Sequence, residues 1–386
     1  VAAGLNRTLP FLSWIFCIFS ALLTILLLSS PLSSVINMAT ATTATATATT
    51  VDISVDYTTI ILDALETMRL GELATADAGA RFKALAYKKA ADAIRRSGKP
   101  ITRIDDVRGI AGVGKKIELK IAEILSTGTL RAAERVKART DVGAYEQLLR
   151  IHGVGPVKAR ELVKAGYTSI AALREAVERD PTILNDTQKL GLRYYEDGLE
   201  RIPRAEMAAH ESLLLAAFAA PLSGTIVGSY RRGAASSGDI DMLVTYSGAG
   251  VTPKVAQAKF AEAVDALNKS GYIVAKLASG PKKWMGYVRL EGAVRRLDLL
   301  LTPPAEYAYA ILYFTGSDKF NIAFRRWCLD HGYSINEHTL KIVKEGVAPV
   351  PPMTTEEDIF AFVGLCYVPP TERVDEAQIV ACGSRT

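Results

Sequence analysis

The chain has 386 residues, too many for one small domain and enough for two or three around a sizeable core. Its 46 lysines and arginines against 41 acidic residues leave a net charge of +5, which excludes a histone-like polycation and a disordered acidic tail but allows one basic face for phosphate. The 4 cysteines (Cys17, Cys328, Cys366, Cys382) lack any Cys-x-x-Cys spacing and the 4 histidines are unpaired at helical spacing, so a disulfide scaffold, a zinc ribbon and an imidazole metal site are not expected. A reducing compartment is favoured, and any metal falls to carboxylates.

The first fifty residues stand apart. From Phe11 to Leu28 the chain is apolar and uncharged, close to the ~18–20 residues that cross a bilayer, and Arg7 is the only charge before Asp52. The segment reads as a targeting signal, an anchor or upstream sequence from a mis-set gene start, since the first methionine is Met38. It lacks the arginines of a transit peptide, and the Ala/Thr run to Thr50 is too monotonous to pack. Residues 1–50 are therefore expected to lie outside the fold as a leader or mis-set start.

From Tyr57 to about Thr140 the pattern is helical, with Ile60, Ile61, Ala64, Leu65 and Met68 at helical spacing, then Phe82, Leu85, Ala86 and Ala90. This stretch holds 17 basic against 10 acidic residues, so the positive charge is concentrated on these helices. Later come strands at Thr225–Val227, Ile240–Thr245, Tyr287–Leu290 and Arg296–Leu301, with a helix over Val255–Leu267 between them, which predicts an α+β fold. Breaks near Arg139, Pro203 and Pro303–Pro304 divide the chain into 51–140, 141–203, 204–303 and 304–373, with a tail at 374–386.

One repeat is plain. Ile110-Ala111-Gly112-Val113-Gly114 recurs as Ile151-His152-Gly153-Val154-Gly155, each copy followed by an amphipathic helix. The glycines permit a tight turn, and the backbone N–H groups that open the helix can grip a phosphate without reading base sequence. A single copy would be only a tight connection. Two copies followed by Lys115, Lys116, Lys158 and Arg160 point to helix-hairpin-helix binding of the DNA backbone.

The most informative stretch runs from Gly228 to Asp241. A strand leads into Gly228-Ser229, and Asp239-Ile240-Asp241 opens the next strand, where alternation points both acids the same way. Two carboxylates on one face repel unless a cation lies between them, and hard oxygen ligands suit Mg²⁺. A third acid, Asp298, interrupts the apolar run Leu297–Leu301, where an aspartate is costly without a partner. A solvated strand end would explain Asp239 and Asp241 alone. With Asp298, the set predicts two Mg²⁺ ions (Mn²⁺ as the alternative) acting on a 3′-hydroxyl and a leaving pyrophosphate, with Ser229, Arg232 and the Ser237-Gly238 backbone on the phosphates.

These stretches occur in order with Tyr313-Phe314-Thr315-Gly316-Ser317-Asp318-Lys319-Phe320-Asn321 and Ile335-Asn336-Glu337-His338-Thr339. On them the chain resembles the DNA polymerase beta group of the family X polymerases, from about Tyr57 to Arg373. The resemblance implies a helical lyase domain over 51–140, a duplex-binding part over 141–203, a palm over 204–303 and a nucleotide-selecting part over 304–373. It implies Asp239, Asp241 and Asp298 as metal ligands. It implies Gly228, Ser229, Arg232, Ser237, Gly238, Tyr313, Phe314, Gly316, Asp318 and Asn321 around a dNTP, with Tyr313 and Phe314 as a wall that clashes with a 2′-hydroxyl. Arg296 and Arg325 would meet DNA, Arg325 in the template minor groove. Isolated aromatics and arginines like these would otherwise read as core and as solvated helix face.

The resemblance also implies a deoxyribose-phosphate lyase nucleophile at Lys120, with Lys83 and Tyr87 lining its pocket. Chemistry agrees, because a Schiff base needs a neutral amine and Lys116, one turn before Lys120, would favour that form. Monovalent cations (Na⁺ or K⁺) would sit on backbone carbonyls at Ile110 and Val113 and at Ile151 and Val154. Leu300 departs from a family arginine, His338 from a tyrosine and Glu118 from an alanine, and the first two bear on how the palm switches state. No region resembles a BRCT domain, which argues against the larger end-joining members. Lys276–Gly280 reads as a short link between strands, where template-independent transferases carry a longer loop.

The expectation is a template-dependent, gap-filling DNA polymerase with lyase activity in base excision repair. The rivals are a non-catalytic DNA-end-binding module and a template-independent transferase. Gapped or nicked duplex DNA and dNTPs are the expected partners of a monomer, alongside a repair ligase or scaffold. The folded part should need no membrane, and the nucleus is the expected compartment, with the mitochondrion as the alternative.

Overall fold

The computed structural model describes residues 55–75, 77 and 79–383. The expected leader and Cys17 lie outside them. Among the described residues no helix is long and apolar enough to cross a membrane.

Four helices come first: α1 (Thr58–Ala74), α2 (Ala80–Ser97), α3 (Lys115–Thr127) and α4 (Arg131–Lys137). Their apolar residues recur at three- and four-residue steps, which gives each helix one core-facing stripe. Ile61 and Leu65 of α1, Ala90 and Ile94 of α2, and Ile117, Ile121 and Ile124 of α3 close one core. Five more helices follow: α5 (Thr140–Leu149), α6 (Pro156–Lys164), α7 (Ile170–Arg179), α8 (Asp186–Arg193) and α9 (Tyr195–Leu199). Tyr145, Leu148, Ile151, Leu162 and Leu173 fill their core. Local sequence fixes where they start. The Ser169 side chain accepts the Ala172 N–H before α7, and Asn185 and Gln188 cap each other before α8.

The sheet part opens with β1 (Ile202–Pro203), α10 (Arg204–Ala217), β2 (Leu222–Ile226), the single turn α11 (Gly228–Arg231), β3 (Ser236–Ser237) and β4 (Ile240–Tyr246). It continues with α12 (Pro253–Lys269), β5 (Ile273–Gly280), β6 (Lys283–Val288) and β7 (Arg295–Leu301). The main sheet has the order β2-β4-β7-β6-β5, with β4 and β7 parallel and the other pairs antiparallel. Both central strands are near-continuous apolar runs because both their faces are covered. Ile240, Met242, Val244, Leu297, Leu299 and Leu301 pack under α10 and α12. Leu243 and Leu300, on the opposite face, meet Ala310 and Ile311.

One expectation is corrected here. Lys276–Gly280 is no link but the end of β5, paired with Lys283–Gly286 of β6, and the connection is the two-residue turn at Pro281 and Lys282. Its mostly exposed residues still pair their backbone groups with β6, across a register shift between Lys276 and Ala278, so no apolar pattern marks the strand.

The last part comprises α13 (Pro304–Thr315), α14 (Asp318–Asp330), the hairpin β8 (Tyr333–Ile335) and β9 (Leu340–Ile342), and α15 (Glu356–Phe362). Phe320, Phe324, Ile359, Phe360 and Leu365 form its core. Arg373 is buried there, its guanidinium paired with Glu356 at 2.5 Å and stacked among Phe320, Phe360 and Tyr367. Cys366 and Cys382 form a disulfide that ties the tail back to this core, while Cys328 is a buried free thiol. Scattered spacing in sequence gave no sign of that pair, because only the tail's return brings the two residues together.

Candidate active site

The parallel pairing of β4 with β7 sets Asp241 directly opposite Asp298. Asp239 lies just before β4, with its side chain 41% exposed, and Asp298 is buried. The Arg296 guanidinium stands between them. Its Nη2 donates to Asp298 Oδ2 at 3.0 Å and lies 3.5 Å from Asp239 Oδ2. The expected DNA contact Arg296 is thus engaged by the acids. The third carboxyl, on Asp241, is pushed up to about 7, first by burial and then by the charges of Asp239 and Asp298, with Arg296 opposing. Such mutual repulsion marks a site short of positive charge.

Among the described residues no three His, Cys, Asp or Glu side chains stand close enough to hold a metal ion as they are. In the palm the Arg296 guanidinium is the positive group that bridges Asp298 and Asp239. The donor set nevertheless fits a hard divalent ion, being all carboxylate oxygen and carrying more negative charge than one arginine neutralises.

The residues expected on the phosphates lie on the loop between β2 and β4, which leads into these acids. Gly228 takes φ +62°, the left-handed conformation that favours glycine, next to Asp241. Ser229 Oγ donates to Ser237 Oγ at 3.0 Å, which holds the two ends of the loop together. Arg232 Nη1 donates to the Thr315 carbonyl at 2.5 Å, and its Nη1 would lie 3.1 Å from a side chain at Gly316. Burial lowers the Arg232 pKa.

Sequence reasoning missed Arg201. Pairing of β1 with β3 sets Ile202 opposite Ser237, and this carries Arg201 to the loop, where Nε donates to Ser236 Oγ at 2.8 Å and Nη2 to the Ser236 carbonyl at 2.6 Å. It adds a positive charge beside Ser237 and Gly238. Nothing local signals it, because the strand pairing spans more than thirty residues.

Tyr313 and Phe314 meet edge to face at 5.2 Å, both half-buried, at the end of α13. Asn321 Nδ2 donates to the Tyr313 carbonyl at 2.6 Å, which fixes α14 against that wall. Asp318 is exposed in the first turn of α14. Arg325 is exposed and shares a small cleft with Tyr309, Tyr313, Asn321 and Asn336. His338, the departure from tyrosine, donates from Nδ1–H to Glu306 Oε2 at 2.7 Å, so it ties the β8–β9 hairpin to α13.

The two hairpins share one geometry. Val113 N–H donates to the Ile110 carbonyl and Val154 N–H to the Ile151 carbonyl, each at 3.0 Å. Gly112 and Gly153 take φ +100° and +82°, and Gly114 and Gly155 cap α3 and α6 in extended conformation. Lys115 and Lys116 are exposed, whereas Lys158 lies 3.9 Å from Glu161. The second hairpin also reaches the palm. His152 meets the Tyr287 ring edge to face, and a cleft of about 320 Å³ beside Asp239 is lined by His152, Tyr194, Tyr287 and Arg296.

The expected lyase residues lie on neighbouring helices. Lys120 is half-buried on α3, one turn after Lys116. On α2, Lys83 is exposed and lies 3.5 Å from Glu72. Tyr87 packs on the core that holds Ile117 and Ile121, and burial with the Glu72 charge raises its pKa.

Residues 201–304 match the DNA polymerase beta palm and 310–374 the DNA polymerase beta thumb. Residues 59–130 match a helix-hairpin-helix domain and 146–198 the fingers domain of DNA polymerase lambda. The chain belongs to the family X DNA polymerases. Similar family X proteins are DNA polymerase lambda of Rattus norvegicus, 33% identical over 314 residues (76% of this chain, 53% of the relative), and DNA polymerase lambda of Arabidopsis thaliana, 28% identical over 312 residues (75% and 58%). The chain therefore spans little more than half the length of these relatives. The likeness to polymerase beta is corrected: the relatives and the fingers match are lambda-type.

Proposed function

We propose that this chain is a template-dependent, gap-filling DNA polymerase that also acts as a 5′-deoxyribose-phosphate lyase in base excision repair. The observation that carries it is the register of Asp241 against Asp298, with Asp239 adjacent, beside a loop of phosphate-binding donors. Asp239, Asp241 and Asp298 would hold two Mg²⁺ ions, or Mn²⁺, which supply activation of the 3′-hydroxyl and charge neutralisation at the leaving pyrophosphate. Ser229, Arg232, Arg201 and the backbone at Ser237 and Gly238 orient the triphosphate. Arg296 releases the acids and turns to the primer side. Tyr313 and Phe314 exclude a 2′-hydroxyl, while Gly316, Asp318, Asn321 and Arg325 frame the nascent pair.

On the helical part, Lys120 attacks the sugar aldehyde as the lyase nucleophile, with Lys83, Tyr87 and Lys116 around the 5′-phosphate. Both hairpins hold the duplex backbone, with a monovalent cation at Ile110 and Val113 and at Ile151 and Val154. Gapped DNA and a dNTP are the substrates, and a nuclear role, or a mitochondrial one, follows from repair. The test is primer extension on gapped duplex with wild type, Asp239→Ala and Asp298→Ala. Full activity in either variant refutes the metal assignment, and extension of single-stranded primer alone refutes template dependence.

A further inference from the structure

We propose that Arg204, Tyr230 and Glu211 form a clamp that fixes the phosphate loop to the palm, acting as positioning residues for the chemical step. This rests on the polymerase reading above. The loop from Gly228 to Ala235 contains only the four-residue turn α11, too short to hold its own shape in water. Its position must come from its neighbours, and they pull from two sides.

On one side are the parts that select the nucleotide. Arg231 donates from Nη1 to Thr315 Oγ1 at 2.7 Å and from Nη2 to Glu356 at 2.7 Å, and Arg232 donates to the Thr315 carbonyl. These contacts fasten the loop to α13 and α15. Left alone, they would carry it along with any shift of that subdomain.

On the other side is α10. Arg204 N–H donates to the Ala235 carbonyl at 3.0 Å, and Arg204 Nη1 donates to the carbonyls of Tyr230 (2.9 Å) and Ala234 (3.2 Å). The same guanidinium lies 4.4 Å from the centre of the Tyr230 ring, and the Tyr230 hydroxyl donates to Glu211 Oε2 at 2.7 Å. Arg204 and Glu211 are two turns apart on one face of α10, so both reach the same loop. Met207 and His210 between them, and Leu214 one turn beyond Glu211, are buried in the palm, which makes α10 a rigid anchor.

The clamp takes backbone carbonyls and one ring from the loop. It leaves Ser229, Ser237 and the side chain of Arg232 for the substrate. A guanidinium is needed, since a lysine ammonium cannot bridge two carbonyls and also lie flat on a ring. Displacing the loop donors by ~1 Å would cost on the order of a hundredfold in rate.

The experiment uses the full chain in single-turnover gap filling, with gapped-DNA affinity, thermal unfolding and hydrogen exchange measured in parallel. Arg204→Ala should lower the incorporation rate by about ten- to a hundredfold and speed amide exchange at 228–235, with DNA affinity changed less than about twofold. Arg204→Lys should recover little. Tyr230→Phe removes the hydroxyl donor and should lose a few-fold, Glu211→Gln keeps an uncharged acceptor and should lose less, and the double variant should lose no more than Tyr230→Phe, because both act on one hydrogen bond. Wild-type rates in Arg204→Ala, unaltered exchange at 228–235 or additive losses in the double variant would overturn the clamp. Should Arg204→Ala not fold, the Tyr230→Phe and Glu211→Gln cycle decides alone. Absence of incorporation by wild type would refute the polymerase reading instead, and the exchange measurement would still judge the clamp.

Discussion

The palm and the amino-terminal helical part each present a candidate reactive centre, and they are built differently. In the palm the reactive groups are partly or fully buried, set by strand register and paired with a resident arginine. On the helices, Lys120 is half-buried and its lysine neighbours face solvent. The palm centre is preorganised: the carboxyl of Asp241 is already pushed up to about 7 by its surroundings. The helical part offers exposed lysine charge beside Lys120 on α3. Strand register fixes positions to fractions of an ångström, whereas a helix surface fixes only which side chains share a face.

The sharpest way to break this contrast is Asp298→Ala. Incorporation should fall by at least about a thousandfold, while borohydride trapping on an incised abasic substrate stays at the wild-type level. The converse change, Lys120→Ala, should abolish trapping and leave gap filling within about twofold. If either variant damages both activities in proportion, the two centres are not separate.

Next comes a comparison of the hairpins. Ala at Gly112 or Gly153 meets a positive φ worth roughly 1–2 kcal/mol of strain. At Gly153 the new methyl also comes within 3.0 Å of Thr187, against 3.4 Å from the nearest atom at Gly112. Gly153→Ala should therefore cost more stability by denaturant melts. It should also weaken gapped-DNA binding more, since that hairpin joins the palm.

The smallest effect is with pH. His210, fully buried in the palm against Tyr272 and Glu206, has its pKa lowered by burial. The unfolded chain then binds a proton that the folded chain refuses, so stability falls as pH drops below about 6.5. His210→Gln should flatten that slope between pH 7 and 5 in thermal melts. The helical part before residue 141 holds no histidine and should show no such slope in this window.

Much of this molecule was legible in its sequence. The hairpin repeat, the acids of the Asp-x-Asp stretch and the Tyr313–Asn321 run are contiguous, and each needs only local chemistry to be read. The strands at Ile240 and Arg296 were found because a buried strand writes a continuous apolar run. What stayed hidden was whatever depends on distant partners. Arg201 reaches the phosphate loop through β1–β3 pairing, Arg296 spends its charge on Asp298 and Asp239, and Cys366 meets Cys382 through the tail's return. The extent of β5 was misread because its solvent-facing end looks like a turn.

Spacing along the chain carried the helical and strand periods, the hairpin repeat and the Asp-x-Asp stretch, while the order of the motifs carried the resemblance to family X. Folding set Asp241 opposite Asp298, placed the Arg296 guanidinium against Asp298 and Asp239, and brought Arg204 of α10 to the carbonyls of Tyr230 and Ala234. Those are relations between segments tens of residues apart, set by packing and hydrogen bonding that no local pattern records.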